Sequence, residues 1–350
     1  MAKINVRSPY FINLSTTNLT SAQLEIQIYF GVANTSWQST PQYTLSSTAI
    51  NNKVNFEIAE LIKDYITALF DGSFPTSSVT ESEATTINVD YRVTETINTT
   101  AQTPVDVLGE RAFYGYGYFE DGVNPTFNNV FYLQTNYTIL KNINSTVTIP
   151  VDNTIANRVD WKYQGSTVSS VVLTPETKIQ NQISYLTNTG NFNVDEVEII
   201  AGLKILTVAI DSYRKCKYTP IKLTFINKYG AYQEIWMFAN SSLSMRTTED
   251  KYKSNILTNG TYSITNPQVK LLTKNGNQRL TLNSDFYPES YNEIFRQLFL
   301  SEKVWIYYEN QTLGVNIESK SINYKTSITD GLINYTIDVS FAFDTINNIR

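Results

Sequence analysis

The sequence predicts a mainly β protein: two antiparallel sandwich- or barrel-like domains, each with one packed amphipathic α-helix. Three observations predict it. Most of the chain alternates with period two in Val, Ile, Thr, Tyr and Phe, residues that suit a pleated, half-buried surface. Only two segments carry helical spacing instead. A length of 350 residues, at roughly 100 to 200 per domain, suggests about two domains. Charged residues make up 17%, against about 25% in an ordinary domain, and hydrophobic residues 41%. Disorder is therefore a poor reading.

Taken in order, Leu24, Ile26, Ile28 and Phe30 alternate with more polar neighbours, and Gly31 closes that strand. From Glu57 to Phe70, the residues Ile58, Leu61, Ile62, Tyr65, Ile66 and Leu69 share one helical face, so a helix is expected near 57–70, stopped by Asp71-Gly72. Asp71 to Glu83 reads as a loop. Ile87, Val89, Tyr91 and Val93 mark the next strand. In RAFYGYGYFEDG the aromatics around Gly115 and Gly117 read as a further strand, where the missing side chains suggest a bulge or close approach of another backbone. Thr187 to Asn193 is small and polar and is expected to link domains 1–190 and 191–350.

In the second half, PIKLTFINKYGAYQEIWMFA reads as a hairpin around Asn227-Lys228-Tyr229-Gly230. From Pro288 to Leu300, Tyr291, Ile294, Phe295, Leu298 and Phe299 predict a helix near 288–300, with Ser290 and Glu293 spaced as a capping box. Both halves then share a strand, helix, strand, strand order. VWIYYEN, VNIESKSINYKT and LINYTIDVSFAFD read as a meander with a turn at Asp330-Gly331. Ile333, Tyr335, Ile337, Val339, Phe341 and Phe343 would give the last strand one apolar face.

The absence of His and the presence of one Cys remove most familiar site chemistry. Ser-His-Asp triads, Cys-His dyads and His- or Cys-built zinc sites all require residues the chain lacks. Cys216 has no intrachain partner for a disulfide, which suits a reducing compartment. The net charge of -5 gives no global attraction for nucleic acid or anionic membrane. No run approaches the 18 or so apolar residues of a membrane span, and MAKINVRSPYFIN lacks a signal h-region. Folding in the cytoplasm is the expectation.

The remaining candidates each have a bland rival. Glu120 and Asp121 lie beside aromatics that could stack on a sugar, but FEDG is also an ordinary acidic hairpin turn. Glu81 with Glu83, Asp195 with Glu196 and Glu198, and Glu249 with Asp250 lack calcium-loop spacing and read as solvated faces. Arg214, Lys215, Lys217 and Tyr218 form one short basic cluster in an acidic chain, which reads as surface. No phosphate-binding glycine motif occurs. No catalytic, cofactor-binding or metal-ligating residue is assigned. The 24 Tyr, 17 Phe and 4 Trp either fill aromatic-rich cores or form contact surfaces, where such rings are enriched.

The opening INVRSPYFI, then QLEIQIYFG, PQYTLSS and VNFEIAELIKDYI, resemble virion structural proteins of tailed bacteriophages, particularly the crAss-like group and relatives. So do KYTPIKLTFINKYGAYQEIWMF, SYNEIFRQLFLSEKVWIYY and DGLINYTIDVSFAFDTINNIR. The segment from Asn142 to Asn193 has no counterpart and leaves an insertion open. The resemblance implies a non-enzymatic subunit of a ring or hub layer in the neck or short tail, part of the conduit through which DNA leaves the capsid. The implied partners are copies of itself and adjacent tail or portal-proximal proteins, with no specific nucleic acid, no membrane and no cofactor. Two rivals stand beside it. A carbohydrate- or receptor-binding module would use platforms such as Trp37, Trp161 or Tyr116, and a carboxylate-only glycoside hydrolase would use Glu120 or Glu198.

Overall fold

The computed structural model describes residues 3–38, 40–66, 79–81, 86–127, 131–133, 138–173, 183–188, 193–213, 217–319 and 332–346. The chain is mainly β, as expected, with open sheets packed in sandwich fashion and no closed barrel. It forms two compact units. One contains Met1–Arg214, Thr224–Trp236 and Ser290–Glu302, and the other contains Lys215–Leu223, Met237–Glu289 and Lys303–Arg350. The expected division at 1–190 and 191–350 therefore gives way to an interleaved one. Residues beyond 190 belong to the first unit because their apolar side chains complete its cores.

In the first unit, the strand order Lys3–Asn5, Val105–Phe113, Thr86–Ile97, Leu19–Tyr29, Tyr43–Thr48 builds one sheet. Strand Leu19–Tyr29 buries Leu24, Ile26 and Ile28, while Phe30 lies past the strand end and is exposed. A second sheet runs Ile139–Asn142, Leu203–Tyr213, Glu196–Ala201, Arg158–Tyr163, Ser166–Val172, and a third runs Thr148–Asp152, Ile183–Thr187, Val79–Glu81. Ile149, Val151 and Leu186 of the third sheet share one core with Val159, Trp161, Val197, Ile199, Val208 and Ile210 of the second. That shared core makes the pair a sandwich.

Several expectations need correction here. Two pairings are parallel, Lys3–Asn5 with Arg111–Phe113 and Ile139–Asn142 with Ile210–Tyr213, because long connections rather than hairpins bring those strands together. The aromatic strand ends at Phe113. Val79–Glu81 is a strand inside the expected loop, and the remainder of that loop that is not described includes Asp71-Gly72. The first helix, α1, spans only Ala59–Lys63. Ile58, Ile62 and Ile66 keep the expected buried face, and residues 67–70 lie outside the described ones. The second helix, α2 (Asn292–Leu300), belongs to the first unit, so both helices pack there and the two halves do not repeat one plan. Its capping box does not form, because Glu293 accepts hydrogen bonds from Tyr118 and Gln297 instead.

The expected hairpin is present, with strands Ile221–Ile226 and Tyr232–Met237 around a turn in which Gly230 takes φ +76°. Asn227, fully buried, organises that turn. Its Oδ1 accepts the N–H groups of Tyr229 and Ala231 at 3.0 and 3.1 Å, and its Nδ2 donates to Tyr132 O at 2.8 Å and to Gln233 Oε1 at 3.2 Å.

The second unit holds the antiparallel order Val304–Tyr308, Gln311–Ile317, Thr336–Phe341, Val269–Asn283, Ser241–Lys253. Ile337, Val339 and Phe341 are buried as the alternation requires, but Phe343 is about half exposed. Asp330-Gly331 lies outside the described residues. Tyr287–Pro288 pairs separately with Leu332–Ile333.

Candidate functional site

The feature of the second unit that its own packing does not account for is a long β-ribbon. Ser241–Lys253 pairs along its whole length with Val269–Asn283. Thirteen residues at about 3.3 Å each make it roughly 40 Å long. Near its base, Arg279–Asn283 also pair with Thr336–Ser340. Asn275 makes the last bonds to the body, to Asp344 and Ile346. From Glu249 to Lys274 the ribbon's strands pair only with each other among the described residues, and all of Ser241–Lys253 is exposed. A register shift at Asp250/Lys251 leaves Leu272 outside the ladder, the sort of bulge that adds local twist.

The ribbon's tip folds back on itself. Thr258 bridges Thr261 across Asn259-Gly260, both at positive φ (51° and 77°), which is the two-residue turn that matches strand twist. Leu257, Tyr262 and Ile264 are 60, 65 and 92% exposed, and residues 254–268 contain no charge. On the ribbon itself Met245, Tyr252, Val269, Leu271 and Leu272 are also exposed.

Charge is distributed unevenly. Between Ser241 and Asn283 stand Arg246, Lys251, Lys253, Lys270, Lys274 and Arg279 against Glu249 and Asp250, a net of +4 in a chain of -5, which leaves -9 on the remaining residues. Glu249 is taken up by Lys251 and Lys274, the nearer pairing holding its carboxyl below the ordinary range. Arg246, Lys253 and Lys270 have no carboxylate partner among the described residues.

A second cluster, in the first unit, is polar but closed. Tyr118 Oη donates to Glu293 Oε1 at 2.6 Å, beneath the Arg296 guanidinium at 3.6 Å from the ring centre and Lys228 Nζ at 4.5 Å. Arg7 lies 4.7 Å over Tyr116 and pairs with Glu302 at 3.2 Å, and Tyr114 Oη donates to that same carboxylate. Burial pushes all three phenols up, Tyr116 to about 12. Burial works against the Glu302 carboxylate, but the Tyr114 hydroxyl and the Arg7 and Lys63 charges outweigh it and hold the group below its ordinary value. With phenols protonated and acids matched by cations, this cluster fastens α2 and offers no base.

The third feature is a cleft of about 550 Å³ within the second unit, lined by Lys217, Tyr218, Thr219, Asn240, Tyr307, Tyr308, Glu309 and Asn310 among others. Tyr218 and Tyr307 are partly exposed on its walls.

The residues weighed from sequence do not converge. Glu120 and Asp121 sit in the exposed 3-10 turn Phe119–Asp121, a turn as read, though one that joins no hairpin. Asp121 Oδ2 accepts the Tyr118 N–H at 2.8 Å. Glu198 is buried between Lys162 at 2.6 Å and Lys204 at 3.2 Å, with its pKa lowered chiefly by the Lys162 hydrogen bond, so it is a neutralised anion rather than a proton donor. Asp195 accepts the Gln164 N–H. Trp161 is wholly buried and Tyr116 nearly so, while Trp37 packs under Arg92 at 4.7 Å. Lys217 and Tyr218 enter the cleft wall, but Arg214, Lys215, Cys216 and Glu83 lie outside the described residues. Among the described residues no group of three or more Cys or carboxylate side chains could hold a metal ion, and no helix is long and apolar enough to cross a membrane.

Sequence reasoning missed the ribbon. The signal that could have found it is Asn259-Gly260, the strongest short hairpin cue, inside a stretch without helical spacing. No family model, curated protein or solved structure matches the chain.

Proposed function

We propose that this chain is a non-enzymatic structural subunit of a bacteriophage virion, assembling with copies of itself into a ring or hub layer of the neck or short tail. The observation that carries the reading is the ribbon from Glu249 to Lys274, long, apolar in part and, among the described residues, paired only with itself. An isolated two-stranded hairpin is marginal in water, and exposed apolar groups beyond scattered singles mark contact sites. A ribbon of this kind gains its stability from a neighbour. The phage setting comes from the resemblance of the sequence blocks, and the acidic balance suits a conduit, where attraction for phosphates would hold DNA back.

The test is negative-stain microscopy of the purified full chain, with closed annuli as the expected result. A chain that stays monomeric at high concentration and turns over a small molecule would overturn the reading. Firm retention on immobilised duplex DNA at low salt would count against the conduit.

A second reading, a carbohydrate- or receptor-binding module, rests on the cleft. Tyr218, Tyr307 and Tyr308 beside Asn240, Asn310 and Glu309 form the mixture of rings and hydrogen-bonding groups that sugars require. Binding on a glycan array that disappears in Tyr307→Ala, from a chain that forms no annuli, would favour it.

A further inference from the structure

We infer that the ribbon is a strap that lies on the acidic surface of a second copy of this chain, with its uncharged tip buried there, in a head-to-tail contact. This rests on the assembly reading above and names how the copies join.

Charge selects the partner. The hairpin carries +4 and the rest of the chain -9, so the surface most complementary to the ribbon is the body of another copy. Charge also selects the geometry. Two ribbons laid together would bring Arg246, Lys253 and Lys270 against their own counterparts with one carboxylate, Asp250, to set against the three cations, since Glu249 is already paired within its own ribbon. Ribbon-on-body contact avoids that repulsion, and because it joins two different surfaces it propagates from copy to copy and can close into a ring.

The tip supplies the apolar part of the contact. Interface centres are depleted in charge and enriched in aromatic and apolar side chains, whereas the cationic shaft suits a rim. Residues 254–268 hold no charged residue and present Leu257, Tyr262 and Ile264 to solvent. Duplex DNA would use the three unpaired cations but leave those side chains in water, so nucleic acid is the less favoured occupant. The shaft also carries its own guard against unspecific edge pairing, since Lys251 and Lys253 stand beside the bulge on the outer strand. Contact through the faces and tip is what remains.

The experiment compares four full-length or internally shortened chains by light scattering and microscopy. The first is the native chain. In the second, Glu249–Lys274 are replaced by Asn-Gly, which joins Thr248 to Asn275 where they already face each other in the ladder and keeps the Asn275 bonds to the body. The third carries Leu257→Ser, Tyr262→Ser and Ile264→Ser, and the fourth Arg246→Glu, Lys253→Glu and Lys270→Glu. Because every altered side chain is exposed or on the ribbon, circular dichroism should stay native. The expected result is annuli from the native chain, monomers from the shortened one, and association weakened about 30-fold or more by the tip variant. The charge variant should lose affinity too, and native annuli should loosen as salt rises from about 0.1 M to about 1 M, where screening shortens from about 10 Å to about 3 Å. Annuli that persist in the shortened chain overturn the strap while the assembly reading stands. A native chain that never assembles sinks the assembly reading and the strap with it. Duplex DNA bound by the native chain and released by the shortened one would make the ribbon a nucleic-acid arm and overturn the inference.

Discussion

At the scale of single residues, the molecule uses its polar side chains to close gaps that its backbone leaves. Asn227 satisfies two N–H groups and two acceptors at a site without solvent. Asn227→Ala removes the partner of the Tyr229 and Ala231 N–H groups and of the Tyr132 carbonyl, and at about 1 kcal/mol or more for each of these three it should cost at least about 3 kcal/mol in a denaturant titration. An unchanged midpoint would mean that water replaces the amide. Glu198 works through charge. Its folded pKa lies below the ordinary 4.5, so the stability it adds is whole above 4.5 and drains as pH falls through the lowered value. Glu198→Gln should therefore melt lower than the native chain at neutral pH, and the gap should narrow as pH falls below the ordinary 4.5. A gap of constant width would show that Lys162 and Lys204 gain nothing from the charge. The glycines were legible beforehand. A Cβ on Gly115 would lie 2.7 Å from Lys228 O, and one on Gly117 2.4 Å from Pro125, so close approach is why no side chain stands there. Tyr114, Tyr116 and Tyr118 around them were misread as a strand. Their alternation is real, but Tyr116 N donates to Lys228 O and Gly117 N to Ser8 Oγ in place of a ladder.

At the scale of elements, legibility followed burial. The strands at 24–28, 87–93 and 337–341 announced themselves because one face of each enters a core, and α2 did so because Ile294, Phe295 and Leu298 do. The ribbon announced nothing. SSLSMRTTEDKYK has no apolar alternation because neither of its faces is buried within the chain, and period two is a record of burial rather than of strand geometry. The same absence makes a prediction about motion. Among the described residues no packed layer covers the backbone hydrogen bonds from Glu249 to Lys274, so in dispersed chains those amides should exchange with solvent orders of magnitude faster than those of Leu24 to Ile28. In assembled annuli, tip residues 256–264 should become protected. Hydrogen exchange followed by mass spectrometry reads both states, and equal protection in dispersed and assembled chains would remove the ribbon from the contact.

At the scale of the whole molecule, the chain passes between its two compact units five times, at 214, 223, 236, 289 and 302. A sequence read from end to end suggests domains as consecutive blocks, and that is why the boundary near 190 looked natural. The physical unit is instead a set of segments that fill one another's cores. To the first unit, segment Thr224–Trp236 brings the buried Phe225, Ile226, Ile235 and Trp236, and segment Ser290–Glu302 brings Tyr291, Ile294, Phe295 and Leu298. A chain ending at Arg214 lacks all eight. At about 1.5 to 3 kcal/mol for each large side chain removed from a core, the loss of about 12 to 24 kcal/mol matches or exceeds the roughly 5 to 15 kcal/mol that hold an ordinary domain together. The truncated chain should keep its far-ultraviolet β signal and lose its near-ultraviolet one, and it should bind an apolar dye, as a collapsed state without fixed packing does. The full chain should show fixed aromatic signals and little dye binding. A truncated chain that melts cooperatively and excludes the dye would show that residues 1–214 fold unaided. The interleaving would then be a matter of proximity alone, and the ribbon could be studied as an appendage of an independent partner.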